Sequence, residues 1–153
     1  MNWNTLISTD KNNWAALIAR LTVGIVIFPH GAQKLLGWFG GYGFSGTMGY
    51  FTGMVHLPWI IGFLVIMIES IGCLALILGF ATRLFSLALL GEFIGIIFTI
   101  HIKIGYFMNW AGAPNAGEGI EYHLLVVGLC LAGLIAGGGK WSIDSLMMKN
   151  RKV

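Results

Sequence analysis

The sequence predicts an all-α membrane protein: a bundle of four transmembrane helices, with a glycine-rich outer loop between the first and second and a short interfacial helix near the C-terminus. Three observations carry this. Of the 153 residues, 57% are hydrophobic, only 10% are charged and the mean hydropathy is +0.82, whereas soluble domains carry roughly 25% charged residues. The apolar residues fall into four runs, each close to the ~20 residues a helix needs to cross a bilayer. The segments between the runs are rich in Gly, Asn and aromatic residues. A single transmembrane domain over 1–153, with spans at about 14–36, 58–80, 84–104 and 120–137, accounts for the chain.

The net charge of +3 and pI near 9.0 do not indicate a nucleic-acid binder, because the nine Lys and Arg residues are spread thinly beside the apolar runs, as a topology signal is. Cys73 and Cys130 lie inside apolar runs at different depths, and no CxxC pair is present. They are expected to be small core residues and not a disulfide. The N-terminal segment carries an acid and a lysine before its apolar run and lacks a convincing small-residue cleavage site. The first run is therefore expected to be a retained span.

The first span follows Asp10, whose carboxylate can accept from the free amides of the first turn. Arg20 sits roughly 9 Å into that helix at 1.5 Å per residue. Pro29 cannot donate to Ile25, so a kink is expected just before His30, after which His30, Gln33 and Lys34 share one face at i, i+3 and i+4. Residues 37 to 57 hold seven glycines and no charge, and are expected to form a partly buried loop folded back over that helix end. The second span begins at Pro58 and holds Glu69 near its middle. Gly79 and Thr82-Arg83 make a short turn into the third span, which carries Glu92, a Gly91/Gly95 pair in the register of close helix approach, and His101 near its far end. A second loop, residues 105 to 119, leads to the fourth span, with Glu121 and His123 in its first turn and a glycine triplet at 137 to 139 as its stop. Ser142 caps a short amphipathic helix with Ile143, Leu146 and Met147 on one side.

Ionisable groups inside a span cost ~2.5–3.5 kcal/mol on insertion scales, so Arg20, Glu69 and Glu92 need partners or a purpose. One expectation is that Arg20 pairs with one of the carboxylates and fastens helices together; the other, if protonated by burial, can accept or relay a proton. At the outer face, His30, Lys34, His101, Glu121 and His123 converge with Trp38, Phe39, Tyr106 and Trp110. These groups supply hydrogen-bond donors, proton carriers and aromatic walls suited to a quinone-type ring. His30, His101, Glu121 and His123 also offer metal-ligand chemistry, although Glu121 and His123 lie about 200° apart around a helix and do not share a face. A haem or metal stays open on this reading. The bland alternative is a polar belt that satisfies loop backbone at the headgroup level. No GxxxxGK[ST] motif is present, which removes a phosphate-cradle reading of the glycines.

The segments RLTVGIVIFPHGAQKLLGWFGGYGFSGTMGYF, ESIGCLALILGFATRLFSLAL, HIKIGYFMNWAG with GIEYHLL, and GGGKWSID resemble, in order and over nearly the whole chain, the DoxX family of small bacterial inner-membrane proteins. The resemblance implies four transmembrane helices and a connection to quinone chemistry, since related proteins are subunits of a thiosulfate:quinone oxidoreductase. It places His30, Gln33, Lys34, Glu69, Arg83, His101 and Glu121 at family motif positions. Glu92, His56 and His123 match no motif position and rest on their own chemistry.

The sequence therefore leads to these expectations. The protein acts as, or within, a quinone-linked oxidoreductase. His30, Lys34, His101 and Glu121 are the catalytic candidates, and His30, Gln33, Lys34, Trp38, Tyr106, Trp110 and His123 the ligand-binding ones. Arg20, Glu69, Arg83 and Glu92 are structural intramembrane charges. Electrons come from a partner subunit, a soluble donor or the substrate, because no redox-cofactor motif is visible; a homo-oligomer is a further option. Lys11, Arg83, Lys140, Lys149, Arg151 and Lys152 against Lys34 and Lys103 put both termini in the cytoplasm of a bacterial inner membrane. The alternatives are a non-enzymatic scaffold or assembly factor, and a small transporter or proton pathway, the latter weakened by the lack of an internal repeat.

Overall fold

The structure, a computed structural model, describes residues 3–114 and 116–149. It contains helices α1 (Trp3–Ile7), α2 (Trp14–Leu36), α3 (Gly43–Gly53), α4 (Trp59–Leu78), α5 (Thr82–Thr99), α6 (Glu121–Ala136) and α7 (Ile143–Lys149). Short 3-10 turns lie at Trp38–Gly40 and His101–Lys103. No strand occurs among the described residues.

Helices α2, α4 and α5 are long and apolar enough to cross a membrane. Helix α6 is apolar but has 16 residues, about 24 Å of helix against a hydrocarbon core of ~30 Å. The third helix ends at Thr99, earlier than the 104 expected, because the chain tightens into the His101–Lys103 turn.

Between lipid-facing helices the hydrophobic effect contributes little, and small residues that let backbones approach matter more. Helix α2 shows this along its face towards α4: a Cβ on Gly24 would meet Ile77 and the Cys73 carbonyl, and one on Gly31 would collide with the Glu69 backbone. Opposite Gly31, α4 widens into a π-helical turn at Ile68–Gly72, the kind of local insertion that re-aims a side chain. The common core gathers Val23 and Ile27 of α2, Cys73 and Leu76 of α4, Leu89 and Phe93 of α5, and Val126 and Cys130 of α6. Both cysteines are free and buried, as expected.

The end of the bundle that holds α1 and α7, called here the terminal end, is closed by a clamp. Arg20, one of the largest fully buried side chains, places Nε on Gly138 O at 2.7 Å, Nη1 on Leu76 O and Ile77 O, and Nη2 on Lys140 O at 3.1 Å and Trp141 O at 3.0 Å. A guanidinium has five N–H donors, and each finds a carbonyl. Arg20 thus pairs with no intramembrane glutamate; Asp144 is the charge that acts on it. Asp144, fully buried, accepts from the Ala81 and Thr82 amides at 2.7 and 2.9 Å, and so caps α5 from a distant part of the chain. Arg83 donates to Ser8 O and Leu134 O. The glycine triplet permits the closure: Gly137 ends α6, and at Gly139 (φ +66°) a Cβ would press on Asn13 O and Ala16.

Other expectations change in detail. The α2 cap is Asn13, whose side chain accepts from Ala16, while Asp10 turns back to Asn12. Ser142 does cap the last helix, accepting from Ser145. Gly91 and Gly95 are exposed with nothing within 4 Å of their Cβ positions, so they mediate no helix approach within the chain. Arg151, Lys152 and the Lys149 side chain lie outside the described residues.

Candidate functional site

At the opposite end, called here the loop end, residues 37 to 57 are not a loop. After Gly37 takes a left-handed conformation and ends α2, the chain makes the Trp38–Gly40 turn and then forms helix α3. Glycine is a poor helix former, so α3 depends on packing. Thr47 and Met48 are buried, Phe44 rests edge-on against Phe63, and Gly41 lies so close to Gln33 that a Cβ would strike its backbone. The segment does fold back over the end of α2, as a helix.

Between α2 and α3 opens a groove of about 710 Å³, lined by Gln33 and Lys34 from α2, by Tyr42 beside Gly40 and Gly41, by Gly46 and Tyr50 among other α3 residues, and by Met54 just beyond α3. Gly49 leaves open space where a side chain would stand. Gln33 donates to Phe39 O at 3.2 Å, and the Lys34 ammonium forms an ion pair with Glu69 of the π-helical turn. Lys34 is partly exposed and Glu69 is buried, so the pair joins the groove to the bundle interior.

Behind this pair lies Glu92. Both of its carboxyl oxygens are buried with no N–H or hydroxyl donor among the described residues; they face the Glu69 carboxyl, close enough to share a hydrogen bond with it once one of the two is protonated, and feel the charge of Lys34. The Tyr122 hydroxyl is likewise buried and unpartnered, with Glu69 and Cys73 as its electrostatic neighbours. Native interiors seldom leave buried polar atoms unpaired, and each such atom in a membrane-spanning helix points to function by default.

The histidines form a separate cluster. The His123 ring lies 4.1 Å from that of His101 and 5.7 Å from Phe93, and His123 Nδ1 has no partner. His101 Nδ1 sits 2.6 Å from Glu118 O, while Trp110 Nε1 donates to Glu121. Glu121 and His123 therefore serve different neighbours, as their helical separation requires. Phe93 and Tyr122, with ring centroids 6.4 Å apart, stand beside this cluster.

Of the ligand-binding candidates from the sequence, only Gln33 and Lys34 line the groove. The His30 side chain is exposed and has no hydrogen bond among the described residues, one turn before Lys34. Trp38 and Tyr106 are exposed, and Trp110 is committed to Glu121. Tyr42, Tyr50, Tyr122 and Asp144 escaped sequence reasoning. The spacing of Gly43, Gly46, Gly49 and Gly53 was the available signal for the groove wall, since steps of three and four mark one face of a helix. Among the described residues no three His, Cys, Asp or Glu side chains are grouped to hold a metal ion.

Comparison with known proteins places this arrangement in context. The DoxX family model matches residues 15–102, which include Arg20, Lys34, Glu69, Arg83, Glu92 and His101. The chain is 29% identical over 137 residues, 89% of each chain, to the Bacillus subtilis (strain 168) protein named "Putative oxidoreductase CatD". No solved structure matches significantly. With more than half its length covered by the family model, this membrane protein belongs to the DoxX family.

Proposed function

We propose that the protein is an oxidoreductase, or the membrane subunit of one, that binds a quinone-type ring in the groove between α2 and α3. The observation that carries this reading is the floor of the groove: an ammonium held by a buried carboxylate, with a second carboxyl behind it. Gln33 and Lys34 offer donors to ring oxygens, and Tyr42, Tyr50 and Met54 offer walls. The size of the groove, about 710 Å³, suits a site for a small organic ligand. The name of the Bacillus subtilis relative supports redox chemistry. A bound quinone would supply two-electron acceptor chemistry; the chain's part is to orient it, exclude water and hold protons. Electrons arrive from a partner subunit, a soluble donor or the substrate.

On this reading α6 is a fourth span, and the membrane is the bacterial inner membrane. Lys11, Arg83 and Lys140 stand at the terminal end, which supports cytoplasmic termini and a groove near the outer face. His101 and His123 pass protons at that face and do not touch the ring. A scaffold role is the second reading, favoured by the exposed Gly91 and Gly95, which are free to accept another helix.

Titration of a short-chain ubiquinone into the purified protein, followed by aromatic fluorescence, tests the proposal. Saturable quenching is expected. It should weaken by at least about tenfold, or ~1.4 kcal/mol, in Gly49→Leu, because the new side chain enters the groove. A parent protein with no saturable binding contradicts it.

A further inference from the structure

One ammonium at the loop end faces two carboxyls. Lys34 from α2 is bonded to Glu69 of α4, and Glu92 of α5 faces the Glu69 carboxyl within reach of a shared hydrogen bond, with no N–H or hydroxyl donor from another described residue. The other titratable groups that feel Glu92 are thiols, Cys73 of α4 and Cys130 of α6, both fully buried among apolar side chains. None of these supplies a second positive charge. Two carboxylates cannot both remain ionised in a low-dielectric interior against a single cation without leaving one buried charge uncompensated. One proton restores neutrality.

We propose that Glu69 and Glu92 form a proton-loading pair behind the groove, holding one proton between them and exchanging it through the Tyr122 hydroxyl. The proton resides on Glu92, since Glu69 is the carboxylate that Lys34 compensates. Transfer towards the groove breaks the O–H bond of Glu92 and forms one on Glu69, which then loosens its hold on Lys34 and frees an ammonium donor at the groove wall. Glu69 then gives that proton up to the groove and recovers Lys34, and one proton arriving through Tyr122, which takes its replacement from the loop-end side, restores the pair. No electron passes through these residues. Tyr122 is suited to the exchange because its hydroxyl both donates and accepts and has no competing partner. It also adjoins His123, whose ring packs on His101 at the loop end. The proton store is independent of what binds in the groove, and its use for quinone chemistry rests on the proposed function.

Infrared spectroscopy of the purified protein in lipid nanodiscs at neutral pH reads the store directly. A carbonyl stretch of a buried, protonated carboxyl, shifted in deuterium oxide, is expected in the parent and absent from Glu92→Gln. Tyr122→Phe should keep the band but slow its deuterium exchange. Adding a short-chain ubiquinone should perturb the band in the parent and not in Gly49→Leu. If Glu92→Gln does not assemble, Glu92→Asp should shift the band instead. Absence of the band from the parent, or its unchanged persistence in the Glu92 variants, overturns the proposal. A band that behaves as expected in a protein that binds no ubiquinone supports the pair and overturns the quinone reading alone.

Discussion

The two ends of the bundle both bury charge, yet at the terminal end every donor and acceptor of the charged residues Arg20 and Asp144 is matched, with the Thr82 hydroxyl left unpartnered beside them, while at the loop end the ionisable side chains themselves are not. Arg20 meets five carbonyls with five N–H groups, and Asp144 takes two amides. Glu92 faces only a second carboxyl, and Tyr122 Oη and His123 Nδ1 keep no partner among the described residues. The same kind of residue, a charged side chain inside an apolar bundle, is thus structural where its hydrogen bonds are complete and chemical where they are left open. Completeness also needs preorganisation: the carbonyls around Arg20 come from helix ends and glycine turns that cannot move apart, whereas the loop end faces a groove that α3 leaves unfilled.

Substitutions at the two ends should separate these roles. The largest effect is expected from Arg20→Leu, which abandons five carbonyls, all buried or partly buried, and removes the charge that acts on Asp144. A loss of about 3–5 kcal/mol is typical when a buried charge network loses one partner. Thermal unfolding in detergent should show it as failed assembly. Arg20→Lys should rescue little, because three donors on a point charge cannot match five fixed acceptors. Asp144→Asn comes next. It keeps the shape but can accept at only one oxygen, so one amide at the start of α5 is left unpaired, and the loss should be about 1–2 kcal/mol on the same unfolding curve. At the loop end, Gly49→Leu should change stability by less than ~1 kcal/mol, since glycine is itself unfavourable within a helix, while ubiquinone affinity falls. A melting temperature that drops as far as that of Asp144→Asn would show that the groove wall is structural and blur the contrast between the ends.

Much of this was legible in the sequence. Charge density and apolar run length alone located α2, α4 and α5, and the glycine triplet marked where α6 stops. Glu69 stood out because ionisable groups in spans need a reason to be there, and Lys34 because it shares a face with His30 and Gln33 at the end of the first helix. The partners did not follow from that reasoning. Arg20 was expected to seek a glutamate, since a charge seeks a countercharge. Backbone carbonyls freed at the ends of α4 and α6 outcompeted the glutamates, and no side-chain pattern reveals where such carbonyls point. Helix α3 was hidden by the low helix propensity of glycine, which packing against α2 and α4 overrides. The histidines were expected to join Lys34 because all lie at one depth. Depth does not fix direction around a helix, and neither His30 nor His101 lines the groove.

The sharpest comparison between the ends is the melting temperature of Glu92→Gln measured beside that of Asp144→Asn in the same detergent. Replacing a buried carboxyl that carries the pair's proton by a neutral amide of equal size keeps a donor facing Glu69 and adds no charge, so the melting temperature should equal the parent's or exceed it. A drop as large as that of Asp144→Asn would mean that Glu92 holds the bundle together as the terminal clamp does, and would contradict the claim that the loop end keeps its open polar groups for chemistry.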